Sequence, residues 1–142
     1  MRFMVMVKSS GQEDALPDPK GVEEMNKYID ELIEAGVMLG YEGLHPSSKG
    51  ARVHYSGRNC TVVDGPFAET KELVAGFMIW QVKSLEEAIE LVKRGPHSDE
   101  GEFDIEIRQI FEPEDFAFAF SEEEIQREKQ IRAQLADRAE KK

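Results

Sequence analysis

The chain has almost no cysteine. Cys60 stands alone among 142 residues, which excludes an intrachain disulfide and a thiolate metal cluster within one chain. No run approaches the roughly 18 apolar residues that span a bilayer. The opening MRFMVMVKSS is too short in its apolar part for a signal segment and lacks a small-residue cleavage site. These features predict a cytoplasmic protein with no membrane partner. Neither GxGxxG nor GxxxxGK[ST] occurs, and GQEDALPDPKG lacks phosphate-loop spacing, so no nucleotide cofactor is expected. HExxH and HxH are also missing, which argues against a metal centre. His97 with Asp99, Glu100 and Glu102 reads as an acidic surface loop instead.

Charge of one sign is in short supply as well. The net charge is −11, and the last 22 residues, 121–142, hold six basic and six acidic side chains. Residues 1–120 therefore carry the whole excess, 12 basic against 23 acidic. Such a surface repels phosphate backbones, so nucleic acid is not an expected ligand.

What remains is a folded pattern, with 40% apolar and 33% charged residues. Arg2 to Lys8 and Gly76 to Val82 (GFMIWQV) are apolar on both faces, the mark of central strands. Between Gly21 and Ala35, Val22, Met25, Ile29, Leu32 and Ile33 recur at helical spacing, and Gly36 is placed to stop the helix. Ser9 to Lys20 reads as a loop, and Val37 to Leu44 as an extended segment before His45-Pro46. Ala51 to Tyr55 and Asn59 to Val63 flank SGRN as a hairpin. Ser84, with Glu87 three residues on, opens a second helix whose buried stripe is Leu85, Ala88, Ile89 and Val92, ended by Gly95-Pro96. In EFDIEIRQIF, 102–111, apolar Phe103, Ile105 and Ile107 alternate with ionic Asp104, Glu106 and Arg108. Ser121 caps a C-terminal helix with a thin stripe of Ile125, Ile131, Leu135 and Ala139, suited to packing on another subunit.

Strand, helix, strand, inserted hairpin, strand, helix, strand gives an α+β, ferredoxin-like βαββαβ sheet. Residues 1–116 form the domain and 117–142 a helical extension. Both helices then cover one sheet face. The second face would expose apolar side chains unless a second copy covers it, so a homodimer with sheets face to face is expected.

The candidate chemistry clusters in a few places. His45, at the end of the second strand, can act as acid or base if a carboxylate orients it, and Asp64 is the candidate partner. Asp64 before Gly65 also reads as a turn that bonds its own backbone, with Gly65 free to adopt positive φ and Pro66 stiffening the corner. Glu106 and Arg108 share a strand face, where Arg108 can grip a small carboxylate or clamp Glu106, Asp64 or a residue of the other subunit. Glu69, Lys71 and Glu72 read either as ligand contacts or as a mutual ion-pair cluster. His54 is expected in solvent, and Cys60 as a small packing residue.

The segments DGPFAETKE (64–72), Gly76, GLHP (43–46) and IEIRQIFEPEDF (105–116) resemble the YCII-related family, in its DGPF-type branch. The resemblance runs from Met1 to Phe116, with the motifs in the family's order. It implies a dimeric α+β barrel of ferredoxin-like protomers and a biochemical function that is mostly unestablished. It also implies a possible link to alternative sigma factors, beside which some members are encoded. Some distant relatives on the fold are isomerases or dehalogenases of aromatic breakdown products, and a His–Asp pair has been proposed as catalytic in part of the family. That histidine would fall at Met25, counting back from Gly36, so it is not carried over here. Two readings stay open. One is a lyase- or isomerase-like acid–base site for a small carboxylate or aromatic-derived molecule. The other is a non-catalytic regulatory or interaction protein.

Overall fold

The computed structural model describes residues 1–8, 18–69, 72–97 and 102–141. These residues form two compact units, Met1–Gln109 and Ile110–Lys142. Most of the expected Ser9–Lys20 loop lies outside the described residues, as do Lys71, Asp99 and Glu100.

In the first unit the order is β1 (Arg2–Lys8), α1 (Pro19–Glu34), β2 (Met38–Gly43), β3 (Ala51–Ser56), β4 (Asn59–Asp64), β5 (Val74–Gln81), α2 (Leu85–Lys93) and β6 (Ile105–Gln109). Four strands make an antiparallel sheet in the order β2-β5-β1-β6. β3 and β4 pair only with each other, as a separate hairpin inserted between the second and third sheet strands. Two βαβ halves on one antiparallel sheet is the expected ferredoxin-like arrangement.

Local chemistry sets the helix ends. Asp18 caps α1, accepting from the Gly21 N–H at 2.6 Å, and Pro19 supplies a first residue that needs no donor. The helix therefore starts two residues before the apolar periodicity does. Gly36 ends it at φ +72°, where a side chain would be strained. On α2, Ser84 accepts from the Glu87 N–H at 3.1 Å, and the Glu87 carboxylate reaches back to the Lys83 N–H at 2.7 Å.

The core lies between the sheet and both helices. Phe3 faces Trp80 across the β1–β5 ladder, and Val5 faces both Met78 and Ile107. Leu32 of α1 and Ala88 of α2 close this layer, with Tyr28, Leu91 and Val92 packed at its margin. Phe3, Val5 and Trp80 are almost wholly buried. The Tyr28 hydroxyl crosses between the helices and donates to the Leu91 carbonyl at 2.7 Å. Burial pushes its pKa up to about 12.

The α1 stripe is narrower than its periodicity predicts. Val22, Met25 and Ile33 are exposed, and Leu32 alone is fully buried. Tyr28 and Leu32, one turn apart, carry the contact instead. Met25 is thus not a core residue.

On the other sheet face stand Met4, Met6, Phe77 and Ile79, each partly exposed. Glu106 lies opposite Met6 and Arg108 opposite Met4, so both belong to this face. Neither α1 nor α2 lies on it.

In the second unit, a 3₁₀ turn at Pro113–Phe116 precedes α3 (Glu122–Glu140). Ser121 and Glu124 cap α3 reciprocally. Lys129 pairs with Glu114 at 2.7 Å and holds that carboxyl below the usual carboxylate range. Phe116 stacks between Phe111 and Phe120, with ring centroids 4.9 Å apart on each side. Among the described residues no helix is long and apolar enough to cross a membrane.

Candidate functional site

The corner after β4 is built by contacts that no local pattern announces. Gly57, at φ +59°, turns the β3–β4 hairpin and returns the chain through β4 to Asp64. There the Gly65 N–H donates to the Gly50 carbonyl at 3.0 Å, and the Phe67 N–H donates to Ser47 Oγ at 3.2 Å. Residues 47–50 are themselves wound by the Gly50 N–H donating to the Ser47 carbonyl at 2.9 Å.

Gly65 is required here by proximity rather than by φ. Only Gly36 and Gly57 have positive φ among the described residues. A Cβ on Gly65 would overlap the Ser47 carbonyl. The expected Asp64 turn is likewise replaced. The exposed Asp64 side chain makes no hydrogen bond among the described residues, and Ser47 and Gly50 hold the corner in its place.

Arg52 then ties the hairpin to the motif. Its guanidinium lies 4.0 Å from the centroid of the Phe67 ring and donates to Glu69 Oε2 at 3.2 Å. This hydrogen bond holds the Glu69 carboxyl below its usual range. Glu69 therefore pairs with Arg52, while Glu72 pairs with Lys8 at 3.9 Å. Among the described residues the two glutamates thus reach different strands, while Lys71, the third member of the expected cluster, lies outside them.

His45 is exposed just past β2, where the Leu44 N–H donates to the Ala75 carbonyl and extends the β2–β5 ladder. Its segment runs directly into the 47–50 turn that grips Gly65. His45 and Asp64 thus sit on adjoining segments, with no hydrogen bond or ion pair between them among the described residues.

Arg108 is elsewhere. It sits on β6, the edge strand opposite β2, 4.0 Å from Glu106. Three strand spacings separate the two edges, about 14 Å. Arg108 therefore lies beside Glu106, at the sheet edge opposite the strand that leads into His45. Arg108 is largely exposed, so the Glu106 contact leaves room for a second anion.

The remaining candidates are peripheral. His97 Nδ1 lies 3.1 Å from the Gly95 carbonyl in an exposed turn. Among the described residues no three His, Cys, Asp or Glu side chains gather as a metal cage. His54 is exposed, as expected. Cys60 is exposed too, rather than packed, on a strand whose every residue is exposed. Sequence reading missed Ser47, Gly50 and Arg52. Their partners lie 15 to 20 residues away, so only a three-dimensional contact reveals them.

Comparison with known proteins agrees with this architecture. Residues 1–113 match the YCII-related domain. An uncharacterised protein of Rhizobium meliloti (strain 1021) is 28% identical over 93 residues, spanning 66% of this chain and 75% of that protein. With its sheet order, its inserted hairpin and a family match across most of its length, the chain belongs to the YCII-related domain family.

Proposed function

We propose that the protein is a homodimer, of the dimeric α+β barrel type, that binds a small carboxylate on the open face of its sheet. One observation carries this reading. Met4, Met6, Phe77 and Ile79 form an apolar floor beside the ion pair Glu106–Arg108, on the face opposite α1 and α2. An apolar floor with a few convergent polar groups is the usual make-up of a small-molecule site. Arg108 offers the planar fork that matches a carboxylate, and Glu106 supplies a neighbouring proton acceptor. In the enzymatic form, His45 is the acid–base group, Asp64 orients it, and Glu69 and Lys71 of the same motif are further ligand contacts. His45 and Arg108 stand at opposite sheet edges, so their joint action on one ligand requires two chains. A lyase- or isomerase-like step driven by acid–base proton transfer, with any expelled group leaving as it is protonated, suits such a set and needs no cofactor.

The test is thermal shift with a panel of small aliphatic and aromatic carboxylates. A stabilisation present in the wild type and lost in Arg108→Ala supports the site. Equal shifts in both proteins, or none in either, count against it.

A second reading is a non-catalytic regulatory or interaction protein of cytoplasmic location. It is favoured by the corner at 64–69, whose Gly65, Phe67 and Glu69 are committed to anchoring the hairpin. Affinity capture from the native cell that returns only further copies of this chain contradicts it.

A further inference from the structure

The hairpin β3–β4 is the least buried part of the first unit. Every residue of both strands is exposed, and among the described residues the two strands pair with no other strand. An isolated two-stranded hairpin is marginal in water. This one is nevertheless pinned at its base by five contacts: Gly65 to Gly50, Gly65 against Ser47, Phe67 to Ser47, Arg52 to Phe67, and Arg52 to Glu69.

Its two faces differ. The pairings Val53↔Val62 and Tyr55↔Cys60 put Val53, Tyr55, Cys60 and Val62 on one face. Arg52, His54, Thr61 and Val63 occupy the other. Tyr55 is 74% exposed and Val62 62%, an apolar ribbon open to water. Its charge is also unlike the rest of the chain. From Ala51 to Asp64 there are two basic side chains, Arg52 and Arg58, and one acidic, Asp64, a net charge of +1 in a chain of −11.

We infer that this hairpin is an arm that docks, by its Val53–Tyr55–Val62 face, on a second copy of the chain. The inference rests on the homodimer reading and adds to it a contact outside the paired sheets. Charge complementarity selects the occupant, because an arm with two basic side chains against one acidic meets in another copy a chain with a large acidic excess. The anchored base holds the arm ready, so docking orders little new chain. Buried aromatic anchors carry a disproportionate share of interface energy, and Tyr55 is the arm's aromatic residue.

Sedimentation velocity across a dilution series tests this on three proteins. The combined variant Val53→Ser, Tyr55→Ser, Val62→Ser is expected to weaken the dimer by roughly tenfold or more. Arg58→Glu, at the turn and without packing of its own, is expected to weaken it and to flatten its salt dependence. Ile79→Glu on the sheet face serves as the reference. If Ile79→Glu dissociates the dimer while both arm variants leave it unchanged, the arm is overturned and the dimer stands. If the wild type is monomeric, both are overturned. Circular dichroism on each variant confirms that the sheet and helices remain.

Discussion

Gly65 lies so close against the Ser47 carbonyl that no side-chain carbon fits between them. The contact locks the end of β4 to the turn after β2, where the Gly65 N–H also reaches the Gly50 carbonyl. Gly65→Ala must therefore push the two segments apart. The expected cost is about 1–3 kcal/mol, the usual range for overfilling a packed contact. A urea unfolding curve reads it directly. An unchanged midpoint, with unchanged amide signals across 47–67, would show that the corner yields freely.

Arg52→Ala removes both the cover of Phe67 and the hydrogen bond to Glu69. The Glu69 carboxyl, now held low chiefly by Arg52, is expected to titrate closer to the ordinary carboxylate range, as followed by carbon NMR of that side chain. The sign follows from linkage. A depressed folded-state pKa gives stabilisation that is present above the unfolded pKa and lost as pH falls through the folded one. Both partners are exposed, so high salt should mimic the mutation in part.

Tyr28 gives the opposite sign. Its folded pKa is raised from 10.0 to about 12, chiefly by burial. Stability is then full below pH 10 and declines as pH rises through the window toward about 12. Tyr28→Phe should flatten that decline. It should also cost about 0.5–1.5 kcal/mol at neutral pH through the lost bond to the Leu91 carbonyl. Chemical denaturation at pH 7 and at alkaline pH checks both. A variant that keeps the alkaline slope assigns it to another group.

Phe3→Ala tests the core. Phe3 is 2% exposed and faces Trp80 across the central ladder. Truncation is expected to cost about 3–5 kcal/mol. A loss near zero would mean that the sheet and helices meet less tightly than the packing implies.

The fold was legible in the sequence because its signals are local. β1 matched its run of doubly apolar residues, and Ser84, Ser121 and Gly36 ended or opened helices where they stand. The α1 stripe misled because periodicity shows which residues share a face, not how much of that face a sheet covers. Val22 and Met25 lie beyond its reach. The motif corner was legible as a turn but not in its cause. Asp64 and a positive-φ Gly65 are the local explanation, whereas the actual one is Ser47, far away in sequence. For the candidate site, the pairing of Glu106 with Arg108 followed from strand alternation. The distance of Arg108 from His45 did not, because it depends on which strands form the sheet edges.

The most direct test is the mass of the full chain in solution by sedimentation equilibrium at micromolar concentration. The apolar face of Met4, Met6, Phe77 and Ile79 predicts a species of twice the 16.1 kDa chain mass. Ile79→Glu, which places a charge in that face, should return it to one chain mass with its circular dichroism retained. A wild type that sediments as a single 16.1 kDa chain would contradict the proposal.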